Sequence, residues 1–353
     1  MDIENKDSVS AILQHFCVES KSYELETISN GYINDTYMVL DSENPVYVLQ
    51  RINHNVFSDI DGIMANINKA LESLNDENYK KIDLIKTTEG NPYHENEKGY
   101  WRLMSYIDKT ITFNTTSDVN IAYEAGRIIG KFHQLMEGAH KADYIDTTPD
   151  FHNLEFRKKE FISAMAVADS AKLDMAKDAI LFAEDILEKL KVLNKTSLPV
   201  RICHNDTKLN NILFSKESNK ALCLIDLDTI MKGHFYYDFG DAVRTIVNTA
   251  PEDEKDLHKI TFERKLFNAF LDGIASNGPF LSKEEINTLA IGAVFMPFIH
   301  GLRALTDYLN NNIYYKVAYE NQNFDRCLSL FDFAQKALNE LDHMQKVVSE
   351  KLM

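Results

Sequence analysis

The stretch Cys203–Phe214, C-H-N-D-T-K-L-N-N-I-L-F, constrains this chain more than any other. It follows Pro199 and a short apolar run, and precedes a second hydrophobic run, Ala221–Ile225, that ends on Asp226. A histidine, an aspartate, a lysine and two asparagines therefore lie on a loop between strand-like segments, and the next strand brings another carboxylate. Loops held by buried strands are where polar chemistry collects. The fold must bury the strands on either side and still bring Asp206, Asn211 and Asp226 to one cleft.

The residue types have a chemical reason. His204-x-Asp206-x-x-x-x-Asn211 has the spacing by which kinase-type phosphotransferases set an aspartate beside the acceptor hydroxyl and an asparagine on magnesium. Phosphoryl transfer leaves little covalent work to the protein: the alcohol must be positioned, Mg2+ held by hard oxygen ligands, and charge on the moving group offset. In this reading Asp206 binds the acceptor hydroxyl and takes its proton, while the Asn211 amide oxygen and the Asp226 carboxylate hold the metal. Lys208 meets a phosphate oxygen as a compact cation. His204 buttresses the loop.

H204-N-D-x-x-x-N-N211, I225-D-L-D228 and D238-F-G-D241 together resemble the aminoglycoside phosphotransferase and choline kinase superfamily. Y47-V-L-Q-R-I-N53, I225-D-L-D-T229 and G301-L-R-A-L-T-D-Y308 are most similar to N-acetylhexosamine 1-kinases. The resemblance implies a two-lobed, protein-kinase-like α+β fold. A small antiparallel-sheet lobe (1–107) would bind ATP, and a mainly helical lobe (108–353) would carry the catalytic loop and the acceptor. The implied reaction is phosphorylation of the anomeric hydroxyl of an N-acetylhexosamine with ATP and Mg2+. Choline, ethanolamine, an aminoglycoside or a hydroxyl amino acid stay open as acceptors, and a nucleotide-binding module without turnover is a third reading. By the same resemblance Asp238 steadies the catalytic loop, and D-F-G is not the metal motif because Asp226 fills that role. Asn205 stands where a protein kinase has arginine and no A-P-E segment follows, which points to a small-molecule acceptor.

Composition narrows the classes. A chain of 353 residues, 44% hydrophobic, is long enough for two cores. Its net charge of −16 disfavours nucleic-acid binding; it suits a cationic acceptor and equally a solvated surface. Cys17, Cys203, Cys223 and Cys327 form no C-x-x-C pair and read as core residues. The acidic start M-D-I-E-N-K-D lacks a signal-peptide pattern, and the run Leu289–Ile299 is too short to span a bilayer, so the expectation is a cytoplasmic protein without membrane contact.

In order along the chain, residues 8–18 read as a short amphipathic helix with Ile12, Leu13 and Phe16 inward. Tyr23–Ile28 and Tyr32–Leu40 read as strands around the turn Ser29-Asn30-Gly31, either an ordinary hairpin or the phosphate-covering loop, with Asn34 and Thr36 approaching the nucleotide. Val46–Ile52 is a third strand; its Arg51 either grips phosphate or is a surface arginine. A helix over 58–75 would supply that cation's acidic partner, for which Asp59, Asp61 and Glu72 are the choices. Strands at Ile82–Lys86 and Tyr100–Tyr106 lead into the hinge, where by resemblance adenine bonds the backbone near Ser105 and Ile107, with Trp101 in the core.

Further on, G126-R-I-I-G130-K131 lies inside a helix capped at Ser117 or Asp118, where small residues let helices pack closely and do not make a phosphate loop. Residues 151–194 form a charge-rich helical segment that shapes the acceptor site, and His152, Asn153 and Arg157 are left unassigned. Ser282-Lys-Glu-Glu285 is a capping box opening a helix that Pro297 should kink. That helix carries Arg303 toward Tyr308, Tyr314, Tyr315 and Tyr319, where it either binds a sugar or pairs with Asp307. Asp228 is a second metal contact or a turn residue. A single amphipathic helix over 323–352 closes the chain.

Overall fold

The computed structural model describes residues 9, 11–28, 33–195 and 197–353, so the Ser29-Asn30-Gly31 turn lies outside the described residues. Strands β1 (Glu24–Ile28), β2 (Asp35–Asp41), β3 (Asn44–Ile52), β4 (Leu84–Ile85), β5 (His94–Asn96) and β6 (Gly99–Ser105) form one antiparallel sheet in the order β1-β2-β3-β6-β4, with β5 paired to β6. Alternation gives the sheet two unlike faces. Val39, Leu49, Trp101 and Leu103 pack with Ile12 and Leu13 of the N-terminal 3-10 helix (Ala11–His15) and with Phe16 just after it into a small core. The opposite face carries Thr36, Gln50 and Arg102 toward the rest of the molecule. The β5–β6 hairpin, whose Gly99 has φ 121°, adds a strand between the two expected at 82–86 and 100–106.

Helix α1 (Ile60–Ser73) is capped by Asp59, whose carboxylate accepts the Gly62 N–H. The chain leaves the first sheet after Ser105 and joins a second sheet at β7 (Thr110–Ile111), which pairs with β9 (Ile212–Ser215) and through it β10 (Ala221–Leu224). A two-stranded ribbon, β8 (Arg201–Cys203) with β11 (Met231–Gly233), lies beside the loop that carries Asp206. The second lobe is otherwise helical: α2 (Val119–Leu135), α3 (Leu154–Val167), α4 (Ser170–Met175), α5 (Lys177–Lys189), α6 (Phe235–Ile246), α7 (Arg264–Ala275), α8 (Lys283–Leu309), α9 (Gln322–Asn339) and α10 (Leu341–Leu352). The architecture is thus the two-lobed α+β arrangement of kinase-like proteins.

Helix α8 begins with the capping box of Ser282 and Glu285 and runs through Pro297 without a break. It is long and apolar enough to cross a membrane, but it is the buried axis of the second lobe, packed by α6 and α9. Gly126 of α2 lies against α7, where a Cβ would meet the Phe270 carbonyl oxygen at 2.0 Å, so this glycine does serve close helix packing. Three expected elements differ. The 151–194 segment is broken at Ala168 and again at Ala176, the closing helix is interrupted at Glu340, and Cys17 is exposed while the other three cysteines are buried.

Candidate active site

The loop after β8 is held by buried hydrogen bonds. From the first turn of α6, the Asp238 carboxylate accepts the backbone N–H of His204 at 2.8 Å and of Asn205 at 2.7 Å, and lies 2.8 Å from His133 Nε2. His204 Nδ1 accepts the Asp206 N–H, so its Nε2 carries the hydrogen and donates to the Ile225 carbonyl at 2.9 Å. Asn205 takes a left-handed φ of 63° and donates to the Thr229 carbonyl, while the Thr229 hydroxyl donates to the His204 carbonyl. His133, Cys203 and Asp238 come close enough for a metal, but both Asp238 oxygens already serve N–H donors, and the cluster is a hydrogen-bond hub.

This hub brings Asp206, Lys208, Asn211 and Asp226 together. Asp206 Oδ2 receives the Asn211 amide N–H at 2.8 Å and the Lys208 ammonium at 2.8 Å. Burial works to lower the Lys208 pKa, yet the carboxylates of Asp206 and Asp226 outweigh it and hold the lysine above its ordinary value. Asp226 closes β10 in a left-handed conformation, φ 63°. Its side chain is exposed to solvent although protein atoms surround it; crowding and the Asp228 carboxylate push its pKa up to about 6, against Lys208 and Arg102. Among the described residues no donor is bonded to the Asp226 carboxylate, and Asn211, donating through its nitrogen, turns its oxygen elsewhere. These oxygens fit a hard divalent cation.

Of the first-lobe residues expected here, Asn34 and Thr36 lie on the cleft side and Arg51 does not. Arg51 shares a face with Leu49, bonds to Asp35 (Nη2 to Oδ2, 2.6 Å) and lies over the Trp101 ring, on the side of the sheet away from Asp226. The acidic partner is therefore Asp35, not a residue of α1. Asp59 caps that helix, Asp61 accepts the Tyr93 hydroxyl and Glu72 is exposed. The cation on the cleft face is Arg102, which is 1% exposed, bonded through Nε and Nη2 to Gln50 and paired with Asp228. Asn34 donates to the other Asp228 oxygen at 2.7 Å, and Thr36 accepts from Gln50 at 3.0 Å. Asp228 is thus neither a free metal contact nor a simple turn residue. Strand alternation held the signal: with Leu49 in the core, Arg51 must share its face and Gln50 must take the other. At the hinge, the Ser105 N–H donates to the Asp83 carbonyl, its hydroxyl accepts the Asp83 N–H, and the Ile107 carbonyl accepts the Thr110 hydroxyl.

On the far side of Asp206, His152 Nε2 lies 3.1 Å from the Asn205 carbonyl oxygen. Burial first, then His300 and Arg303, push its pKa down to about 3; burial and Arg244 push that of His300 down to about 4 despite Asp241, so both are neutral. Arg303 stands over three rings, Phe151 at 5.0 Å, Tyr314 at 5.7 Å and Tyr315 at 5.9 Å. It does not pair with Asp307, which instead accepts the backbone N–H groups of Tyr314 and Tyr315 and so fixes the aromatic loop. Asn153 caps α3, and Arg157 bonds to the Phe151 carbonyl and Glu160. Of the three residues left unassigned in this segment, His152 is the one that reaches the loop of Asp206, and Phe151, which the sequence reading did not single out, lies under Arg303.

This architecture recurs in solved structures. A microcompartment-associated aminopropanol kinase superposes with a TM-score of 0.65 at 16% identity, covering 97% of this chain and 99% of its own. A choline/ethanolamine kinase family protein from Mesorhizobium loti gives 0.60 at 12%, covering 98% and 99%. A spectinomycin phosphotransferase in complex with ADP and spectinomycin gives 0.62 at 12%, covering 96% and 98%. At such identities the likeness is one of fold. The sequence profile of the phosphotransferase enzyme family matches residues 24–263, a span that includes the catalytic loop, Asp226 and Asp238, and this chain belongs to that family.

Proposed function

We propose that this phosphotransferase is an ATP- and Mg2+-dependent kinase for an uncharged sugar acceptor, phosphorylating the anomeric hydroxyl of an N-acetylhexosamine to give the sugar 1-phosphate. Asp206 holds the acceptor hydroxyl through the oxygen not engaged by Asn211 and Lys208, and takes its proton. An anomeric hydroxyl is more acidic than an ordinary alcohol, which suits a carboxylate base. Asn211 and Asp226 would hold the divalent cation, which when bound supplies positive charge beside the phosphates. Lys208 lies between Asp206 and Asp226 and carries positive charge to the transferred group. Adenine would lie against the hinge at 105–107.

The Arg303 cage carries the choice of acceptor. Kinases named for choline, ethanolamine and aminopropanol act on ammonium compounds, and an ammonium group is recognised by aromatic faces. Here the faces of Phe151, Tyr314 and Tyr315 already hold the chain's own guanidinium, which repels a second cation. Arg303 makes one long side-chain hydrogen bond, 3.5 Å to the Tyr314 hydroxyl, so its donors can serve an acetamido carbonyl or ring hydroxyls. The test is an acceptor panel with coupled detection of ADP, containing N-acetylglucosamine, N-acetylgalactosamine, glucosamine, choline and aminopropanol. Turnover of the acetylated sugars, with a KM raised about tenfold by Arg303→Ala, is expected. Turnover of choline or aminopropanol alone overturns the reading.

A further inference from the structure

The buried ion pair between Arg102 of β6 and Asp228, two residues past Asp226, joins the two lobes at the site. Both side chains are 2% exposed. Asp228 takes Arg102 on one oxygen and the Asn34 amide on the other, and Asn34 in turn accepts the Asn53 N–H at 3.0 Å. Gln50 accepts from Arg102 twice and donates to Thr36, completing a chain of bonds across β2, β3 and β6. Asn34 immediately precedes β2 and Thr36 is the second residue of that strand. The strand end bearing Asp226 is therefore fastened to the hairpin expected over the phosphates.

A buried ion pair is a poor means of gaining stability, because desolvating both charges offsets most of their attraction. What it supplies is a fixed relative geometry. We propose that Arg102 and Asp228 are positioning residues for nucleotide binding, a latch that sets the phosphate-facing hairpin at a fixed distance from the Asn211 and Asp226 oxygens. The function usually divided between a strand cation and a helix glutamate is met here by a cation from the first lobe and a carboxylate from the second. The latch thereby reports whether the lobes are correctly joined. This inference rests on the phosphotransferase reading and not on the sugar.

The experiment compares Asp228→Asn, Arg102→Met and the double variant with the unmodified protein. It uses calorimetric titration of a nonhydrolysable ATP analogue with Mg2+, hydrogen exchange at residues 33–41, and the separate KM values for ATP and acceptor. Asp228→Asn is expected to weaken nucleotide binding about tenfold, to speed exchange at 33–41, and to leave the acceptor KM within about twofold. The double variant should be no worse than the poorer single one, because both act through one bond. Unchanged nucleotide affinity and exchange in a folded Asp228→Asn protein overturns the proposal, as do losses that simply add in the double variant or that fall equally on ATP and acceptor. If Arg102→Met does not fold, Asp228→Asn decides alone, since it keeps the side-chain shape and one of the two accepting oxygens while removing the charge. Binding and exchange are read without acceptor, so failure of the sugar assignment leaves this test standing.

Discussion

The Asn211 amide donates to Asp206 Oδ2 across 2.8 Å, and the same amide nitrogen also reaches the Asp206 carbonyl at 2.8 Å. One side chain thus fixes both the backbone and the carboxylate of the proposed base. It also turns the amide oxygen away from Asp206, leaving it free for the proposed metal. The proposed base and the proposed ligand, five residues apart, are oriented by one another, which is the kind of preorganisation that positioning catalysis requires.

Replacing Asp206 by alanine removes the hydroxyl-binding carboxylate without touching the hub at Asp238. Phosphoryl transfer should fall by roughly 10²–10⁴-fold, the range for a lost general base. Binding of the ATP analogue should persist in titration calorimetry. Wild-type turnover in this variant would remove Asp206 from the chemistry.

Asp226 makes the metal-free protein sensitive to pH. Its folded pKa, about 6, lies above the ordinary 3.8, so the folded state holds this proton more tightly. The associated stability is complete below the ordinary value and is lost as pH rises through the folded one. Asp226→Asn cannot ionise, so in EDTA its melting temperature should exceed that of the wild type at about pH 8 but not at about pH 4. Mg2+ should raise the wild-type melting temperature more than that of the variant. A difference that does not change with pH would show that Asp226 is not electrostatically strained.

Asp238→Asn replaces a fully buried carboxylate that accepts two backbone N–H groups with an amide that has one accepting oxygen. A buried donor left without a partner should cost about 2 kcal/mol. Urea unfolding measures the loss. Turnover should fall as well, since the loop bearing Asp206 loses an anchor.

Gly126→Ala tests the packing of α2 on α7. The added Cβ would meet a backbone carbonyl oxygen at 2.0 Å, so the helices must separate, at about 2–3 kcal/mol. Gly130→Ala should cost less, because its nearest obstacle is the side-chain end of Asn277, which can move. Denaturant midpoints of the two variants should rank in that order.

Much of the architecture is local and was legible in the sequence. The strand-loop-strand spacing around Asp206 and Asp226, the Asp118 cap of α2 and the Ser282 capping box depend on neighbours a few residues away. The β5–β6 hairpin was missed because its short first strand, His94–Asn96, carries little apolar signal. The breaks at Ala168, Ala176 and Glu340 carry no Gly or Pro to announce them.

The sequence by itself determined which groups the loop around Asp206 carries, because that spacing is a property of a short stretch, and its resemblance to a phosphotransferase family implied the two lobes. Only the tertiary structure decided which cation faces the cleft. Alternation separates Gln50 from Arg51 but does not say which face looks toward the second lobe. Arg102 and Asp228 meet across a separation of 126 residues, and Arg303 of α8 faces Phe151, which lies in the turn before α3. The Arg102–Asp228 pairing was settled by packing of the two lobes against each other, where burying an unpaired charge costs more than any local preference supplies, and the Arg303–Phe151 contact by packing within the second lobe.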